Sequence, residues 1–307
     1  MTFAEKRFHK KLDKIRRLEE SGVLAKKKKK NRALSKFMSN KTAVAGAVIF
    51  VIIMLACMFA PLLTRYDPAM FDLLNRSKPP SAEHIFGTDK IGRDLFARCL
   101  YGGRTSIMIA GAGSIGGAII GVILGCFAGY KGGWFDRITM RASEFFMSFP
   151  QLILVLVMLS ILGQSTKIIV IVFVITSWSG VFRQARAAML SIREEEYVQA
   201  LHAFGLSDFI VCFKHMLPNA LSPVIVNITI NFATMILEEA SLSFLGLGVP
   251  MEVPTWGNIL NAAQDLHTPQ NAWWIWLFAG IVISLFVMAV SFVGDGIRDT
   301  TDSSIQG

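Results

Sequence analysis

The sequence predicts an all-α protein that crosses a lipid bilayer about six times. Three observations predict it: a deficit of charge, apolar runs of spanning length, and a basic segment ahead of the first run. Of 307 residues, 53% are hydrophobic and 17% charged, with a mean hydropathy of +0.50. Soluble domains carry about a quarter charged residues. In lipid every backbone donor and acceptor must be paired within the chain, which leaves helices or a closed barrel. The apolar runs are continuous rather than alternating over about ten residues, and that excludes the barrel.

The elements follow in order. Residues 1–42 form a basic tail that holds the lysine run 26–30 and much of the net charge of +9. Such a run can bind nucleic acid, but beside a first span it matches cytoplasmic anchoring and contact with anionic headgroups, with no nucleic-acid partner. Phe8, Leu12 and Ile15 offer a weak spacing for an interfacial helix; a solvated arm is the alternative. Six candidate spans cover residues 43–63, 106–128, 145–162, 168–188, 221–240 and 274–294. The first lies behind a long basic tail and is near full spanning length, so it reads as a retained span rather than a cleaved signal peptide.

The tail places the N-terminus inside, and the parity of six spans then places 129–144, 189–220 and the C-terminal tail 295–307 inside as well. The first outside segment ends at 105, so the chain divides into 1–42, 43–105, a core of 106–294 and 295–307. Residues 64–105 are long enough for a small helical cap. Residues 245–273 carry Pro250, Pro254, Trp256 and Pro269, and Trp273, Trp274 and Trp276 suit an interface belt at the last span. Trp256 reads as an interface anchor, with ligand binding as the alternative. Cys57, Cys99, Cys126 and Cys212 show neither disulfide nor zinc spacing and read as small buried residues, with no metal site.

Several features carry mechanism. Gly113, Gly117, Gly121, Gly125 and Gly129 form a small-xxx-small series for a tight seam, within the chain or between subunits. Pro150 kinks the third span or marks its entry. Asn227, Asn231, Thr234 and Glu238 recur every three or four residues, so one face of the fifth span is polar. That face either bonds to other helices or lines a translocation path. Glu238 and Glu239, near the outer end, are expected to be partly hydrated or paired.

The loop EEEYVQALHAFGLSDFIVCFKHMLPNALSP is the most informative stretch. Tyr197, Ala200, Leu201 and Phe204 share an apolar helical face. The acidic triplet 194–196 suits a first turn, and Gly205 suits a left-handed cap. Ser207 or Asp208 can begin a second short helix that Pro218 closes. Two short surface helices are thus predicted, with an apolar face for a partner's groove or, alternatively, for the bilayer surface.

These residues resemble the coupling motif of ATP-binding-cassette importer permeases: Glu-Ala-Ala, three residues, Gly, nine residues, an apolar position, any residue, Leu-Pro. The pattern falls on Gln199, Ala200, Leu201, Gly205, His215, Leu217 and Pro218. Gln199, Leu201 and His215 depart from the general motif; Tyr-Val-Gln-Ala and His-x-Leu-Pro-Asn are similar to variants of the peptide-importer branch. FGTDKIGRDLFARCLYGGRTS at 86–106, EEASLSFLGLGVP from Glu238 followed by TWGNIL, and GDGIRD at 294–299 resemble that branch's second permease of dipeptide and oligopeptide systems.

The resemblance implies a type I importer permease fold in a cell membrane, with both termini cytoplasmic. It implies a homologous permease as heterodimer partner, two ATPase subunits and an extracellular solute-binding protein. The chain itself is then no enzyme and holds no cofactor; ATP and magnesium act on the ATPase subunits. It also implies that the loop, through Tyr197, Gln199, Ala200, Leu201, Phe204, Gly205, Leu217 and Pro218, docks an ATPase. Peptides are the implied cargo. Nickel or metallophore import within the family, proton-coupled transport through Glu238 or Glu239, and a non-transporting membrane scaffold are the alternatives.

Overall fold

The structure, a computed structural model, describes residues 34–264 and 272–302. The expectations for the tail at 1–33, including Phe8, Leu12 and Ile15, for Pro269 and for residues 303–307 lie outside the described residues. The described chain is built of helices: α1 (Lys41–Met58), α2 (Leu95–Lys131), α3 (Gly133–Met147), α4 (Gln151–Leu162), α5 (Thr166–Arg193), α6 (Glu196–Ala203), α7 (Leu217–Phe244), α8 (Trp256–Asn261) and α9 (Trp274–Asp302). Five of them, α1, α2, α5, α7 and α9, are long and apolar enough to cross a membrane.

Side-chain caps set where these helices begin. Asn40 accepts from the Ala43 N–H at 3.1 Å, Asp94 from Ala97 at 2.7 Å, and Ser165 from Ile168 at 3.2 Å. Each cap satisfies a backbone donor that a helix start leaves unpaired. Asp94 also corrects the expected boundary at 106. It starts α2 inside the presumed outer segment, and the helix then runs 37 residues without a break, about 55 Å at 1.5 Å per residue.

The expected third span, 145–162, is not one helix. Pro150 follows the end of α3, and α4 leaves at 88° to it. Proline lacks a donor and crowds the preceding turn, so the chain bends instead of kinking. The 12 residues of α4 reach about 18 Å, too short for a hydrocarbon core of about 30 Å; only α3 and α4 together make a candidate sixth crossing.

The glycine series forms a seam within the chain, between α2 and α5. A Cβ at Gly113 would stand 2.7 Å from the Phe173 Cβ, one at Gly121 2.7 Å from the Trp178 carbonyl oxygen, and one at Gly125 2.7 Å from both the Ala185 Cβ and the Phe182 oxygen. Gly117 takes the Ser177 hydroxyl into the same space, and Gly129 faces Arg186 and Met189. Backbone-to-backbone approach of this kind holds helices together where lipid removes the hydrophobic drive. At its far end Arg186 on α5 grips Asp136 on α3 through two of its guanidinium nitrogens, Nε and Nη2, the latter at 2.6 Å.

The helix α1 lies on α9, with Gly46 against Phe292 and Gly296 against Ala43 and Phe37. Lys36 donates to the Asp299 carbonyl at 2.8 Å and Asn40 to its carboxylate at 2.9 Å. The GDGIRD motif therefore fastens the first helix to the last.

Residues 64–94 do not form the expected helical cap. Among the described residues they are loop with one 3-10 turn, Leu73–Asn75. Polar anchors hold the loop: buried His84 meets Asp94 at 2.8 Å, Asp89 accepts from Arg93 at 2.7 Å, and buried Arg98 donates to the Pro68 carbonyl at 3.1 Å. Trp256 is corrected from interface anchor to core residue. It is 0% exposed, donates its indole N–H to the Cys99 carbonyl at 3.0 Å, and packs on Phe286. Trp274 is likewise buried and donates to the Thr88 carbonyl at 3.3 Å, whereas Trp273 is exposed. All four cysteines are buried and free.

Candidate functional site

The hairpin between α5 and α7 begins with α6, whose C-terminus closes on Gly205 at φ +74°. The Leu206 N–H reaches back to the Leu201 carbonyl at 3.3 Å and the Phe204 N–H to Ala200 at 3.0 Å. This is the glycine-capped end expected from the sequence. After it, however, the chain does not make a separate helix closed by Pro218. Asp208–Ile210 leads through a wide π-helical turn, Val211–Met216, directly into α7, with Pro218 in its first turn. The widened turn accommodates the donor that proline lacks and the bulk of its ring. Ser207 makes no side-chain cap, and the Asp208 carboxylate is taken by the Tyr130 hydroxyl at 2.8 Å.

The expected apolar face of α6 divides in two. Tyr197 and Leu201 turn inward with Val198, which is 1% exposed, and pack with Cys126, Met189, Ile192, Cys212 and Met216. Gln199, Ala200 and Phe204 turn outward. Phe204 is 81% exposed, Phe209 63% and Ile210 41%. Burying Val198 rotates the helix so that one apolar flank is spent on the fold and the other is left free. Val198, Phe209 and Ile210 escaped the sequence reading, although Phe209 and Ile210 were visible as apolar residues with no span to occupy. Leu217 is half-buried in the same cluster and Pro218 is exposed. Asn219 ties the two arms, donating to the Tyr197 hydroxyl at 3.1 Å and to the His215 carbonyl at 3.2 Å.

The polar face of α7 opens elsewhere. Asn227 and Asn231 line a cavity of about 250 Å³ between α4, α5 and α7, together with Gln151, Thr176, Ser177 and Ser179. Thr234 is exposed farther along the same face, and Glu238 accepts from Gln151 at 2.9 Å. Three buried polar atoms here have no hydrogen-bond partner in the structure: Ser177 Oγ, Ser179 Oγ and Asn231 Nδ2. None of the three is open to the cavity, and the Ser177 hydroxyl lies instead against Gly117 in the α2–α5 seam. The stripe on α7 was legible in sequence, but the hydroxyls of α5 were not, because they sit amid apolar residues with no periodicity of their own.

Of the two alternatives for Glu239, hydration or pairing, the structure shows pairing. Glu239 is 1% exposed and accepts from Ser243 at 2.8 Å, with the hydroxyls of Ser106 and Thr255 also facing it. It joins α2, α7 and the start of α8. Among the described residues no cluster of His, Cys, Asp or Glu has the makings of a metal site.

Known proteins resemble the chain along most of its length. A family model described as the binding-protein-dependent transport system inner membrane component matches residues 121–306. A second, the N-terminal transmembrane domain of oligopeptide transport permease C, matches residues 31–80. The dipeptide transport system permease protein of Alkalihalophilus pseudofirmus is 39% identical over 89% of this chain and 90% of its own. The oligopeptide transport system permease protein of Bacillus subtilis is 38% identical over 89% of each. Among solved structures, a methionine ABC transporter in an inward-facing conformation aligns with 66% of this chain and 96% of its own, with a TM-score of 0.54 and 19% identity.

Proposed function

We propose a peptide-import function on the premise that the chain belongs to the family of binding-protein-dependent transport system inner membrane components, in its oligopeptide permease C group. It is a multi-pass membrane protein with the type I importer permease fold and a permease subunit of an ATP-binding-cassette importer, not an enzyme. It works with ATPase subunits, on which ATP is hydrolysed, and with a solute-binding protein.

Peptides are the cargo in this proposal, since the relatives named above are dipeptide and oligopeptide permeases. The chain pairs with a homologous second permease. Both termini and the 194–216 hairpin face the cytoplasm, in keeping with the basic tail. ATP and magnesium bind the two ATPase subunits. The outward flank of the hairpin, Gln199, Ala200, Phe204 and Gly205 with Phe209 and exposed Pro218, seats in an ATPase groove, while Tyr197, Leu201 and Leu217 hold the hairpin to the bundle. ATP-driven closure of the ATPases then moves the hairpin and the helices joined to it. Asn227, Asn231, Thr234 and Glu238 line the route that opens.

The exposure of Phe204, with Phe209 and Ile210 beside it, on a hairpin whose other flank is packed carries this proposal: an aromatic 81% exposed is covered by a partner or gains nothing from its position. Co-purification of the complex and ATP-dependent uptake in proteoliposomes, with dipeptides, oligopeptides and nickel as cargo, tests it. Peptide uptake that requires ATP is expected. Phe204→Asp is expected to release the ATPases while the permease stays folded. Nickel uptake without peptide uptake, or full ATPase retention by Phe204→Asp, contradicts it.

A further inference from the structure

The loop between α1 and α2 holds four large apolar side chains out of the fold. Leu74 is 91% exposed, and Met70, Phe71 and Leu73 are exposed beside it. The turn that carries them is not loose. Asp72 accepts from the Leu74 N–H at 3.1 Å and from the Asn75 amide at 2.6 Å. The Thr88 hydroxyl donates to the Asn75 carbonyl and accepts from the Lys78 N–H at 2.9 Å. A Cβ at Gly92, where φ is +83°, would stand 1.7 Å from the Asp72 carbonyl oxygen, so a glycine is needed for the two arms of the loop to close. A contiguous apolar patch on a fixed turn marks a contact with protein or membrane.

The level of the turn decides between the two. α2 begins at the loop with Leu95 and reaches the 194–216 hairpin at Tyr130, so loop and hairpin lie at opposite ends of the bundle. At the loop's end, exposed Trp273 precedes α9, where a tryptophan suits the edge of the bilayer. Trp274 donates to the Thr88 carbonyl at 3.3 Å, and Phe86 stacks on Phe278, one turn into the span, at 4.2 Å. Thr88 therefore sits at the edge of the hydrocarbon, and so does the turn bonded to it. Directly after the apolar residues come two exposed cations, Arg76 and Lys78. The acidic side chains of the same segment are occupied by their own turns, Asp67 on the Ala69 N–H at 2.8 Å and Asp72 on Leu74 and Asn75. Apolar side chains beside cations, at the depth where acyl chains give way to headgroups, fit a phospholipid surface. We infer that the 70–78 turn is a lipid-binding surface. Met70, Phe71, Leu73 and Leu74 enter the leaflet at the end of the bundle opposite the hairpin, and Arg76 and Lys78 bond its phosphates. Through Thr88 and Trp274 the turn sets the depth at which α9 begins.

A nitroxide label on Leu74→Cys tests the surface in the purified complex, reconstituted in vesicles of phosphatidylcholine and phosphatidylglycerol. The site is exposed, so the substitution leaves the fold intact, and the four native cysteines are buried. The parent complex labelled in parallel gives the background from other subunits. Collision rates of the label are measured with oxygen, which concentrates in lipid, and with nickel ethylenediaminediacetate, which stays in water, before and after the solute-binding protein is added. Oxygen collisions in excess of nickel collisions are expected in both states. The reverse ratio overturns the inference, because the turn then stands in water. Low collision rates with both reagents also overturn it: in both states they mean that another membrane subunit covers the turn, and only after addition that the binding protein does. Arg76→Gln combined with Lys78→Gln, in the same labelled chain, tests the phosphates. The nickel collision rate is expected to rise several-fold as the turn loses its hold, and an unchanged rate overturns the part assigned to the two cations.

Discussion

Tyr130, in the last turn of α2, donates its hydroxyl to the carboxylate of Asp208, 2.8 Å away across 78 residues of sequence. On its other side the Tyr130 carbonyl accepts from Arg193 at 3.2 Å. The hairpin is therefore tied to α2 and α5 as well as to α7, into which it runs. A push on the hairpin reaches three helices together. Tyr130→Phe removes only the hydroxyl and leaves the ring in its cluster. A hydrogen bond to a charged acceptor contributes about 1.5–3 kcal/mol. ATP hydrolysis is expected to persist while peptide moved per ATP falls by up to about tenfold. Parallel measurement of uptake and phosphate release checks this; an unchanged ratio shows that the tie carries no force.

The glycine seam predicts a loss of folding rather than of coupling. A side chain at Gly121 meets the Trp178 oxygen at 2.7 Å, the Val181 Cβ at 2.8 Å and the Phe182 nitrogen at 2.9 Å. Two of these are backbone atoms and cannot turn aside. Overpacking costs about 1–3 kcal/mol even where side chains give, so Gly121→Leu is expected to abolish recovery of the complex. Gly111→Ala, on the same helix but with only Phe232 at 3.8 Å, is the matched control and is expected to assemble and melt as the parent does. Equal melting of both variants would show that α2 and α5 are not packed this way.

Gly205 separates conformation from contact. Its φ of +74° is left-handed, and nothing lies within 4 Å of a Cβ built there. Asn visits this region readily, while a β-branched residue is strained by about 1–2 kcal/mol or more. Gly205→Asn is expected to keep uptake near the parent level, Gly205→Val to lose the cap, and Gly205→Asp to keep the fold but place a charge beside exposed Phe204. Limited proteolysis reports the cap, and ATPase co-purification reports the contact. Loss of ATPase from Asp with retention by Asn identifies charge at the joint as the cause; identical behaviour of the two removes the hairpin surface from the contact.

Much of the fold was legible because long apolar runs leave a chain little choice in lipid. The Gly205 turn was legible because its conformation is a local property of one residue. Three things were not. The 88° bend after α3 depends on where α3 and α4 pack, and Pro150 announces only a break. The inward flank of α6 was chosen by Val198, whose burial against Cys212 and Met189 joins distant segments. Ser177 sits within an apolar run, where serine reads only as small; the packing of α5 on α2 alone shows that its hydroxyl occupies the space that Gly117 leaves. Trp256 failed for a related reason: its bond to the Cys99 carbonyl is long-range, so its composition pointed to an interface that it does not occupy.

Glu238 decides between an ATP-driven and a proton-driven route. Its carboxylate accepts from Gln151 at 2.9 Å, joining α7 to the start of α4 where the chain bends. A proton carrier must gain and lose a proton at this oxygen, and glutamine cannot. A structural tie needs only an acceptor, which the glutamine carbonyl supplies. Glu238→Gln is thus expected to keep most uptake and Glu238→Leu to lose it several-fold, since leucine leaves the Gln151 amide unpaired at a cost of about 1–3 kcal/mol. In proteoliposomes with ATP held constant, a protonophore is expected to leave the rate unchanged in the parent and in Glu238→Gln. Uptake that collapses with the protonophore, together with an inactive glutamine variant, would make Glu238 a proton carrier and displace the ATPases as the source of work.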